Sequence, residues 1–363
     1  MRIYLDHNAS SPLHPRIKER LAKLGPLGNP SSLHAEGRKA RALLDEARGR
    51  VAAWAGVGPD GVIFTSGGTE ANALAIHAWK SCVIAAGGEK AIRMDGGSHA
   101  SVRENAPRGE WKITVGIERA SLHLCIAAHN ETGAIADLDA AVAAARRDGA
   151  FLHIDAVQWP HKMAFHTKLR EADSFAISGH KLGAPMGAGA LIFSRPVEID
   201  PMIRGGGQES GRRSGTPPLA AIVGLGEALA LKDEDVARDR WRRLAVRLQD
   251  RIRAVLPDEM TELSDCEHGL PGTLLVAFHD LPGDVFAAAL DHAGIAVSYG
   301  TACSSGEQEP SPALLGTGVS YGLARSAVRF SIGEGNTEEE IDDAADRIAR
   351  VHATVRSSLM GTG

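Results

Sequence analysis

The sequence has few cysteines, few aromatic residues and no surplus of positive charge. Its four cysteines, Cys82, Cys125, Cys266 and Cys303, form no CxxC pair within 363 residues. This spacing excludes the common zinc and dithiol motifs and a disulfide-rich secreted scaffold. Aromatic residues make up 4% of the chain, and the formal net charge is -5. Nucleic-acid-binding proteins need clustered positive charge and often use aromatic stacking surfaces, so we expect no nucleic-acid partner.

Long hydrophobic runs are also missing. The longest nearly uncharged apolar stretch, residues 219–231, contains Glu227 and is shorter than the roughly 18–20 residues of a membrane-spanning helix. The first residues, MRIYLDHNASSP, include no apolar region typical of a signal peptide. We therefore expect a cytoplasmic protein with no membrane partner. A hydrophobic share of 44% is that of an ordinary globular protein, and the length predicts about two domains.

Between residues 60 and 195, short apolar segments alternate with helical ones. The strand-like segments are VIFTSG (62–67), AIRMDG (91–96), KITVGI (112–117), LCIAAHN (124–130), FLHIDAV (151–157), DSFAIS (173–178) and GALIFS (189–194). This alternation predicts βαβ units around a mostly parallel sheet. Polar residues follow several of these strands, and α/β sheets bind ligands at the carboxyl ends of their strands.

The pattern changes near residue 230. Apolar residues at steps of three and four from Trp241 to Val255 predict an amphipathic helix. Strand-like TLLVAF, IAVSYG and VRFSIG follow, and Thr337 with Glu340 predicts a capped final helix. We expect residues 1–15 to form an N-terminal segment near the active site and the small domain. Residues 16–230 are expected to form a large domain, and residues 231–363 a smaller α+β domain.

A glycine-rich turn joins a predicted strand to a predicted helix in FTSGGTEAN, residues 64–72. The backbone N–H groups of Gly68 and Thr69, with the Thr69 hydroxyl, face outward at such a helix N-terminus. This arrangement is typical of an anion site, above all for phosphate. The alternative interpretation is a plain turn in which Thr69 caps the helix.

Two further stretches complete a consistent set. In HIDAVQ, Asp155 lies in apolar surroundings and needs a cationic partner, and a protonated pyridine nitrogen is such a partner in pyridoxal phosphate enzymes. The alternative role for Asp155 is a helix N-cap. In SGHKLGAP, Lys181 follows a buried strand, where an amine is costly unless it is paired or forms a Schiff base. Taken alone, Lys181 is better interpreted as a loop lysine that reaches water.

The sequence as a whole resembles the class V, fold-type I pyridoxal phosphate enzymes, and among them the cysteine desulfurases. The resemblance covers nearly the whole chain. The motifs that carry it are YLDHNASSP, GNPSSLHAEGRKAR, FTSGGTEAN, His99, HNETGAI, HIDAVQ, SGHKLGAP, GGGQESGRRSGT, GTACSSGEQEPS and SAVRFSIGEGNTEEEID. It implies an α/β fold with a large cofactor-binding domain, built on a mostly parallel central sheet, and a smaller α+β C-terminal domain.

The resemblance also implies roles around the cofactor ring. Lys181 is expected to bond pyridoxal phosphate and later to move protons. Asp155 is expected to partner the pyridine nitrogen, and Gln158 to donate a hydrogen bond to the phenolic oxygen. His99 is expected to stack on the ring and to take part in acid–base chemistry.

The resemblance assigns another group of residues to the cofactor phosphate, in this subunit and in its neighbour. Thr69, Ser178 and His180 resemble phosphate ligands, beside the backbone of Gly68. Thr216 matches a residue that reaches the phosphate of the neighbouring subunit, so the resemblance implies a homodimer with shared active sites.

Substrate binding and sulfur transfer are assigned in the same way. Asn130 and Arg329 resemble a clamp for the substrate carboxylate, which suits a bidentate guanidinium. Cys303 lies in a Gly- and Ser-rich stretch that is typical of an exposed loop, and it resembles the cysteine that takes sulfur as a persulfide. The alternative for Cys303 is a structural or bystander thiol. Cys82 and Cys125, in strand-like runs, are expected in the core, and Cys266 in a polar loop.

The expected activity is therefore that of a cysteine desulfurase, which converts L-cysteine to L-alanine and leaves a persulfide on Cys303. The sulfur then passes to an acceptor protein, a scaffold or carrier, for iron–sulfur clusters or other sulfur compounds. A selenocysteine lyase or cysteine-sulfinate desulfinase is the alternative enzyme, and a non-catalytic interaction protein on the same fold is the alternative of another class. The histidines at 153, 161 and 166 are given no role, and no metal site is expected.

Overall fold

The structure is a computed structural model, and it describes residues 2–86, 91–94, 112–114, 122–195, 197, 199–231, 234–300 and 310–360. The strands are β1 (Ile3–Tyr4), β2 (Val62–Thr65), β3 (Ala91–Met94), β4 (Lys112–Thr114), β5 (Leu122–Ile126), β6 (Phe151–Asp155), β7 (Ser174–Ser178), β8 (Gly189–Phe193), β9 (Met260–Glu262), β10 (Thr273–Phe278), β11 (Ile295–Ala296), β12 (Ser298–Tyr299) and β13 (Ala327–Ser331).

The helices of the described residues lie between these strands and after the last of them. They are α1 (Pro15–Ala22), α2 (Ala35–Ala55), α3 (Gly68–Ala86), α4 (Leu138–Asp148), α5 (Lys168–Glu171), α6 (Leu219–Leu229), α7 (Glu234–Val255), α8 (Gly283–His292), α9 (Pro312–Gly316), α10 (Tyr321–Arg325) and α11 (Glu338–Met360). Among them, none combines the length and the apolar character needed to cross a membrane.

The chain divides into two compact units. The small unit comprises Met1–Ser11, His129–Ile135 and Asp233–Gly363, and the large unit comprises Pro12–Ala128 and Ala136–Lys232. The segment His129–Ile135, which the sequence assigned to the large domain, is held within the small unit by hydrogen bonds. Leu270 donates its N–H to the Gly133 carbonyl at 2.8 Å, and the Asn8 amide donates to the Asn130 carbonyl at 3.0 Å.

The large unit is built on a seven-stranded sheet in the order β2-β8-β7-β6-β5-β3-β4. Strands β4, β3, β5, β6 and β7 run parallel, and β8 is antiparallel to both β7 and β2. Strands β2, β7 and β8 are buried along their whole length, as expected for strands covered on both faces. The predicted α/β class with a mostly parallel central sheet is confirmed.

The small unit has an antiparallel sheet of its own, in the order β12-β13-β10-β9, and a short parallel pair of β1 and β11. Helices α7 and α11 pack on this core through apolar side chains such as Leu244, Leu248, Ile341 and Ile348. These positions repeat at helical spacing, so the amphipathic helix predicted from residue 241 and the final helix are both found. The unit is therefore α+β, as the sequence predicts.

Candidate functional site

In the large unit, residues that the sequence assigns to the cofactor site lie where β6 and β7 end and α3 begins. Asp155 is the last residue of β6, and Ser178 is the last residue of β7. A Cβ atom placed on Gly68, the first residue of α3, would lie 2.5 Å from the Val157 side chain and 3.6 Å from Ser178 Cβ. The contact with Ser178 is an ordinary one, so it is the close approach of the Val157 side chain that favours glycine at position 68.

The start of α3 meets the requirements of a phosphate site. This helix is 19 residues long, and its first N–H groups have no intrahelical acceptors. The Ser178 hydroxyl is buried and has no hydrogen-bond partner among the described residues, which costs about 1–3 kcal/mol unless an acceptor is supplied. Phosphate oxygens are such acceptors. Since α3 begins at Gly68, Thr69 lies in its first turn, exposed, and the alternative in which Thr69 caps the helix is wrong.

Lys181 and His180 lie in a 3-10 turn, Gly179–Leu182, directly after β7. Lys181 is half-buried. Burial, and next the positive charge of Lys181, lower the pKa of His180 to about 4. His180 is therefore neutral near pH 7, with a proton on one of its two ring nitrogens. An amine in the turn that follows a buried strand is suited to bond an aldehyde.

Asp155 is buried and its carboxylate is fixed at both oxygens. The Val157 N–H donates to Oδ1 at 3.0 Å, and the Asn72 amide donates to Oδ2 at 2.7 Å. The first of these bonds closes an Asx turn. Within the described residues the next helix is α5, which begins at Lys168, so the alternative of a helix N-cap is wrong. The group instead suits a buried cation such as a pyridinium.

Gln158 is buried three residues further along, and a buried lysine sets its orientation. Lys162 Nζ donates to Gln158 Oε1 at 3.2 Å, and the side chains are 4% and 5% exposed, respectively. Because the amide oxygen accepts from Lys162, the amide nitrogen is the donor end of Gln158. This agrees with a donor to the phenolic oxygen. Sequence reasoning missed Lys162, since a lysine in a polar, turn-rich segment gives no sign of burial.

In the small unit, Arg329 on β13 forms a buried ionic cluster. Its Nη2 donates to Asp6 Oδ1 at 2.7 Å and its Nη1 to the Asn130 carbonyl at 3.0 Å. Its Nε is buried and has no partner among the described residues. Asp6 also accepts a bond from the Ser298 hydroxyl. Arg329 and Asn130 thus lie together, as the predicted clamp requires, and Asp6 is a member that sequence reasoning missed.

Thr216 lies exposed at the end of the glycine-rich segment 205–216. This segment is tied to the large unit by two buried or half-buried ion pairs. Glu209 accepts from Arg48 at 2.6 and 2.8 Å, and Arg213 donates to both oxygens of Glu70 at 2.7 and 3.1 Å. Bidentate pairs of this kind fix geometry. The segment therefore holds Thr216 in a defined place on the surface.

His99 and Cys303 lie outside the described residues, and so does the side chain of Cys82, which belongs to α3 and not to a strand as expected. Cys125 is half-buried, not a core residue. Cys266 lies in a turn but is 1% exposed, and burial raises the pKa of its thiol to about 12. Within the described part of the chain, no three His, Cys, Asp or Glu side chains are placed to hold a metal ion.

Comparison with known proteins identifies the family. The family model "Aminotransferase class-V" matches residues 3–343. The chain belongs to the class V aminotransferase family. It is 36% identical to a cysteine desulfurase from Cereibacter sphaeroides, over 94% of this chain and 93% of the relative. It is 33% identical to a putative cysteine desulfurase, IscS 1, from Bacillus subtilis (strain 168), over 96% and 98% of the two chains.

Solved structures agree with this assignment. A NifS-like protein superposes with a TM-score of 0.88 at 27% identity, over 98% of this chain and all of that one. A NifS-like protein from Rickettsia africae ESF-5 superposes with a TM-score of 0.82 at 28% identity, over 97% and 100%. The family resemblance drawn from the sequence is confirmed, and the expected cofactor, pyridoxal phosphate, is that of the family.

Proposed function

We propose that this class V enzyme is a cysteine desulfurase that moves sulfur from L-cysteine to Cys303. The C–S bond of the substrate breaks and an S–S bond to Cys303 forms. The Cys303 thiol loses its hydrogen, and L-alanine gains one hydrogen in a new C–H bond. The products are therefore alanine and an enzyme persulfide. The observation that carries the proposal is the Ser178 hydroxyl, which is buried without a hydrogen-bond partner among the described residues. It ends the strand that leads to Lys181, and Asp155 ends the neighbouring strand.

The residues of the large unit divide the work of holding the cofactor. The N–H groups at Gly68 and Thr69, the Ser178 hydroxyl and neutral His180 bind the phosphate. Asp155 pairs with the ring nitrogen, and Gln158 donates to the phenolic oxygen from its amide nitrogen, while Lys162 holds the amide oxygen. Lys181 bonds the cofactor and later moves a proton at the substrate. His99 is proposed to stack on the ring.

Pyridoxal phosphate, when bound, supplies an electron sink for the charge left at the substrate Cα. The protein must therefore remove the Cα proton and keep the ring nitrogen protonated. Lys181 Nζ performs the first task. The Asp155 carboxylate performs the second, because an ionised acid in a buried position stabilises a cation beside it.

Arg329 is proposed to receive the substrate carboxylate, with Asn130 beside it. Its Nε lacks a partner among the described residues, and its Nη2 is shared with Asp6. A carboxylate that approaches this guanidinium finds donors in a plane, which is the geometry that makes arginine a carboxylate receptor.

Three finer parts of the proposal concern partners and location. Exposed Thr216 is proposed to bind the phosphate of a second copy, which makes the enzyme a homodimer. The persulfide sulfur is proposed to pass to a scaffold or carrier protein for iron–sulfur clusters or other sulfur compounds. The enzyme is proposed to work in the cytoplasm. The naming of similar proteins as cysteine desulfurases supports the sulfur chemistry on which the transfer step depends.

The function is tested at Cys303. Exposure of the enzyme to L-cysteine should add one sulfur atom to the peptide that contains Cys303, measured by mass spectrometry. Cys303→Ser should release no sulfide under reductant, while L-cysteine should still change the visible spectrum, because binding uses Arg329 and Lys181. Undiminished sulfide release by Cys303→Ser would contradict the proposal.

Cys266 provides the internal control for this test. Only the thiolate is nucleophilic, and a thiol with a pKa of about 12 stays protonated at pH 8. Cys266 should therefore remain unmodified by an alkylating agent at pH 8 in the folded enzyme, and Cys266→Ala should still form the persulfide. An added sulfur on Cys266 would show that the wrong cysteine has been assigned.

Replacing Arg329 with lysine tests the carboxylate receptor. Arg329→Lys keeps the positive charge near Asp6 but loses the planar pair of donors. A lost hydrogen bond to a charged group costs about 1.5–3 kcal/mol, so KM for L-cysteine should rise about 10- to 100-fold, with a smaller change in kcat.

The matched control is Arg347→Lys, because Arg347 also bonds a carboxylate, Asp343, and a carbonyl, that of Ala293. Steady-state kinetics of both variants give the comparison. An equal rise of KM in the two variants, or no rise in Arg329→Lys, would show that Arg329 does not bind the substrate carboxylate.

A further inference from the structure

A chain of buried side chains runs away from the Asp155 carboxylate. Asn72 Nδ2 donates to Asp155 Oδ2 at 2.7 Å, and Asn72 Oδ1 lies 2.9 Å from His153 Nε2. His153 Nδ1 lies 2.9 Å from the Ser174 hydroxyl. Asn72 and His153 are each 1% exposed and Ser174 is 0% exposed. The chain thus links α3, β6 and β7 through hydrogen bonds that are shielded from water.

The direction of each hydrogen bond follows from chemistry. Burial lowers the pKa of His153 to about 3, so its ring is neutral at working pH and carries one N–H. The Asn72 oxygen cannot face Asp155 at 2.7 Å, because two acceptors would then meet. Asn72 must turn its oxygen to His153, which donates from Nε2, and Ser174 must donate to Nδ1. Every proton therefore points towards Asp155, and aligned bonds of this kind strengthen one another.

We propose that Asn72, His153 and Ser174 act as an uncharged relay that positions Asp155 and reserves its negative charge for the ring nitrogen of the cofactor. This proposal rests on the proposed cofactor role of Asp155. The three residues are positioning residues, since they act through Asp155. Their role is absent from the sequence interpretation, which gave His153 none.

The uncharged character of the relay is what makes it useful. A lysine or arginine in the place of Asn72 would also hold Asp155, but it would neutralise the carboxylate that the pyridinium needs. The donors described for Asp155 are an amide and the backbone N–H of Val157, and both are neutral. They fix the carboxylate plane without supplying a counter-charge.

The bonding of the relay also restricts movement. Asn72 lies on the same helix that provides the phosphate site, and His153 and Ser174 are directly opposed in the pairing of β6 with β7. These hydrogen bonds therefore fix the orientation of Asp155 relative to both the sheet and α3. We expect a loss of relay bonds to leave Asp155 buried but held at Oδ1 alone, by the N–H of Val157.

The experiment reads the ring nitrogen directly. Wild type and variants are loaded with pyridoxal phosphate labelled with 15N in the ring, and the 15N chemical shift reports protonation. His153→Phe and Asn72→Leu should move the shift part of the way towards neutral pyridine. The dissociation constant of pyridoxal phosphate should rise about two- to ten-fold, as expected for one net hydrogen bond. His153→Gln, which keeps a donor for Asn72, should retain the wild-type shift.

His123→Phe is the matched control. His123 is also a buried histidine on a strand of this sheet, but it bonds Asp148 at 2.8 Å. It should leave the 15N shift and the cofactor affinity unchanged. Equal displacements in His123→Phe and His153→Phe, or a wild-type shift and affinity in both His153→Phe and Asn72→Leu, would overturn the relay.

Ser174→Ala covers the case in which the larger replacements do not fold. It removes only the outermost donor, and it should shift the 15N signal in the same direction by a smaller amount. An unchanged signal in a folded Ser174→Ala protein would contradict the role of Ser174.

The experiments distinguish a failure of the relay from a failure of the proposed function. A wild type that binds protonated cofactor but leaves L-cysteine unchanged refutes only the desulfurase, whereas one that binds no pyridoxal phosphate refutes the cofactor site itself.

Discussion

Replacement of Lys181 with alanine is expected to abolish the covalent attachment of pyridoxal phosphate and to lower turnover of L-cysteine by at least about 10²–10⁴-fold. Lys181 lies in the turn after β7, next to His180 and Ser178 of the proposed phosphate site. Its removal takes away both the amine that bonds the cofactor and the group that moves the proton. The visible absorption of the bound cofactor, and its trapping by borohydride, should both disappear.

The measurement can separate Lys181 from other lysines. After borohydride reduction of the wild type, mass spectrometry should find the cofactor on the peptide that contains Lys181. Lys162 is the sharpest competitor, because it is buried and contacts Gln158. Lys168→Ala, at a lysine paired with Glu171 and Asp139, is the control and should retain colour and activity. Cofactor on Lys162, or reducible cofactor in Lys181→Ala, would refute the assignment.

Replacement of Asp155 with alanine is expected to preserve the fold and reduce kcat roughly 10²–10⁴-fold. The loss of one member of a buried charge pair costs about 3–5 kcal/mol, and here that loss would fall on the protonated ring nitrogen. Asp155→Asn should show a similar decrease, because an amide offers no charge. The rates should be compared at equal cofactor occupancy, determined from absorbance, so that weaker binding is not counted as slower chemistry.

Asp148→Asn is a useful companion to Asp155→Ala. Asp148 is another buried acid of the large unit, and it bonds His123 and Arg147. We expect its replacement to lower thermal stability but to leave kcat within about two-fold, since it takes no part in cofactor binding. Near-normal kcat in folded Asp155→Ala would show that the ring nitrogen does not depend on this carboxylate.

The sequence predicts the framework of the large unit well, for a simple physical reason. Strands such as Val62–Thr65 and Ser174–Ser178 are buried on both faces, so their residues are almost all apolar or small and stand out against polar turns. Asp155 is recognised in the sequence because it ends such a strand, and Lys181 because it closely follows one. The role of Asp155 stayed open, since the sequence alone does not show whether a helix or an Asx turn follows a strand.

The supporting residues escaped prediction because their contacts are distant in the chain. Asn72 and Asp155 are 83 positions apart, and Asp6 and Arg329 are 323 apart. A histidine such as His153 within an apolar strand resembles any buried core histidine until its partners are known. Hydrogen-bond partners of this kind are set by strand order, and strand order is not encoded in local periodicity.

The two ion pairs that tie down residues 205–216 have a mechanical consequence. Arg213 donates hydrogen bonds to Glu70, which belongs to the first turn of α3. The Glu70 carboxylate also accepts a hydrogen bond from the N–H of Ser66. A displacement of residues 205–216 should therefore also displace the turn at which α3 begins. A crosslink or a bulky substitution at the surface near Thr216 should raise the dissociation constant of the same molecule for inorganic phosphate.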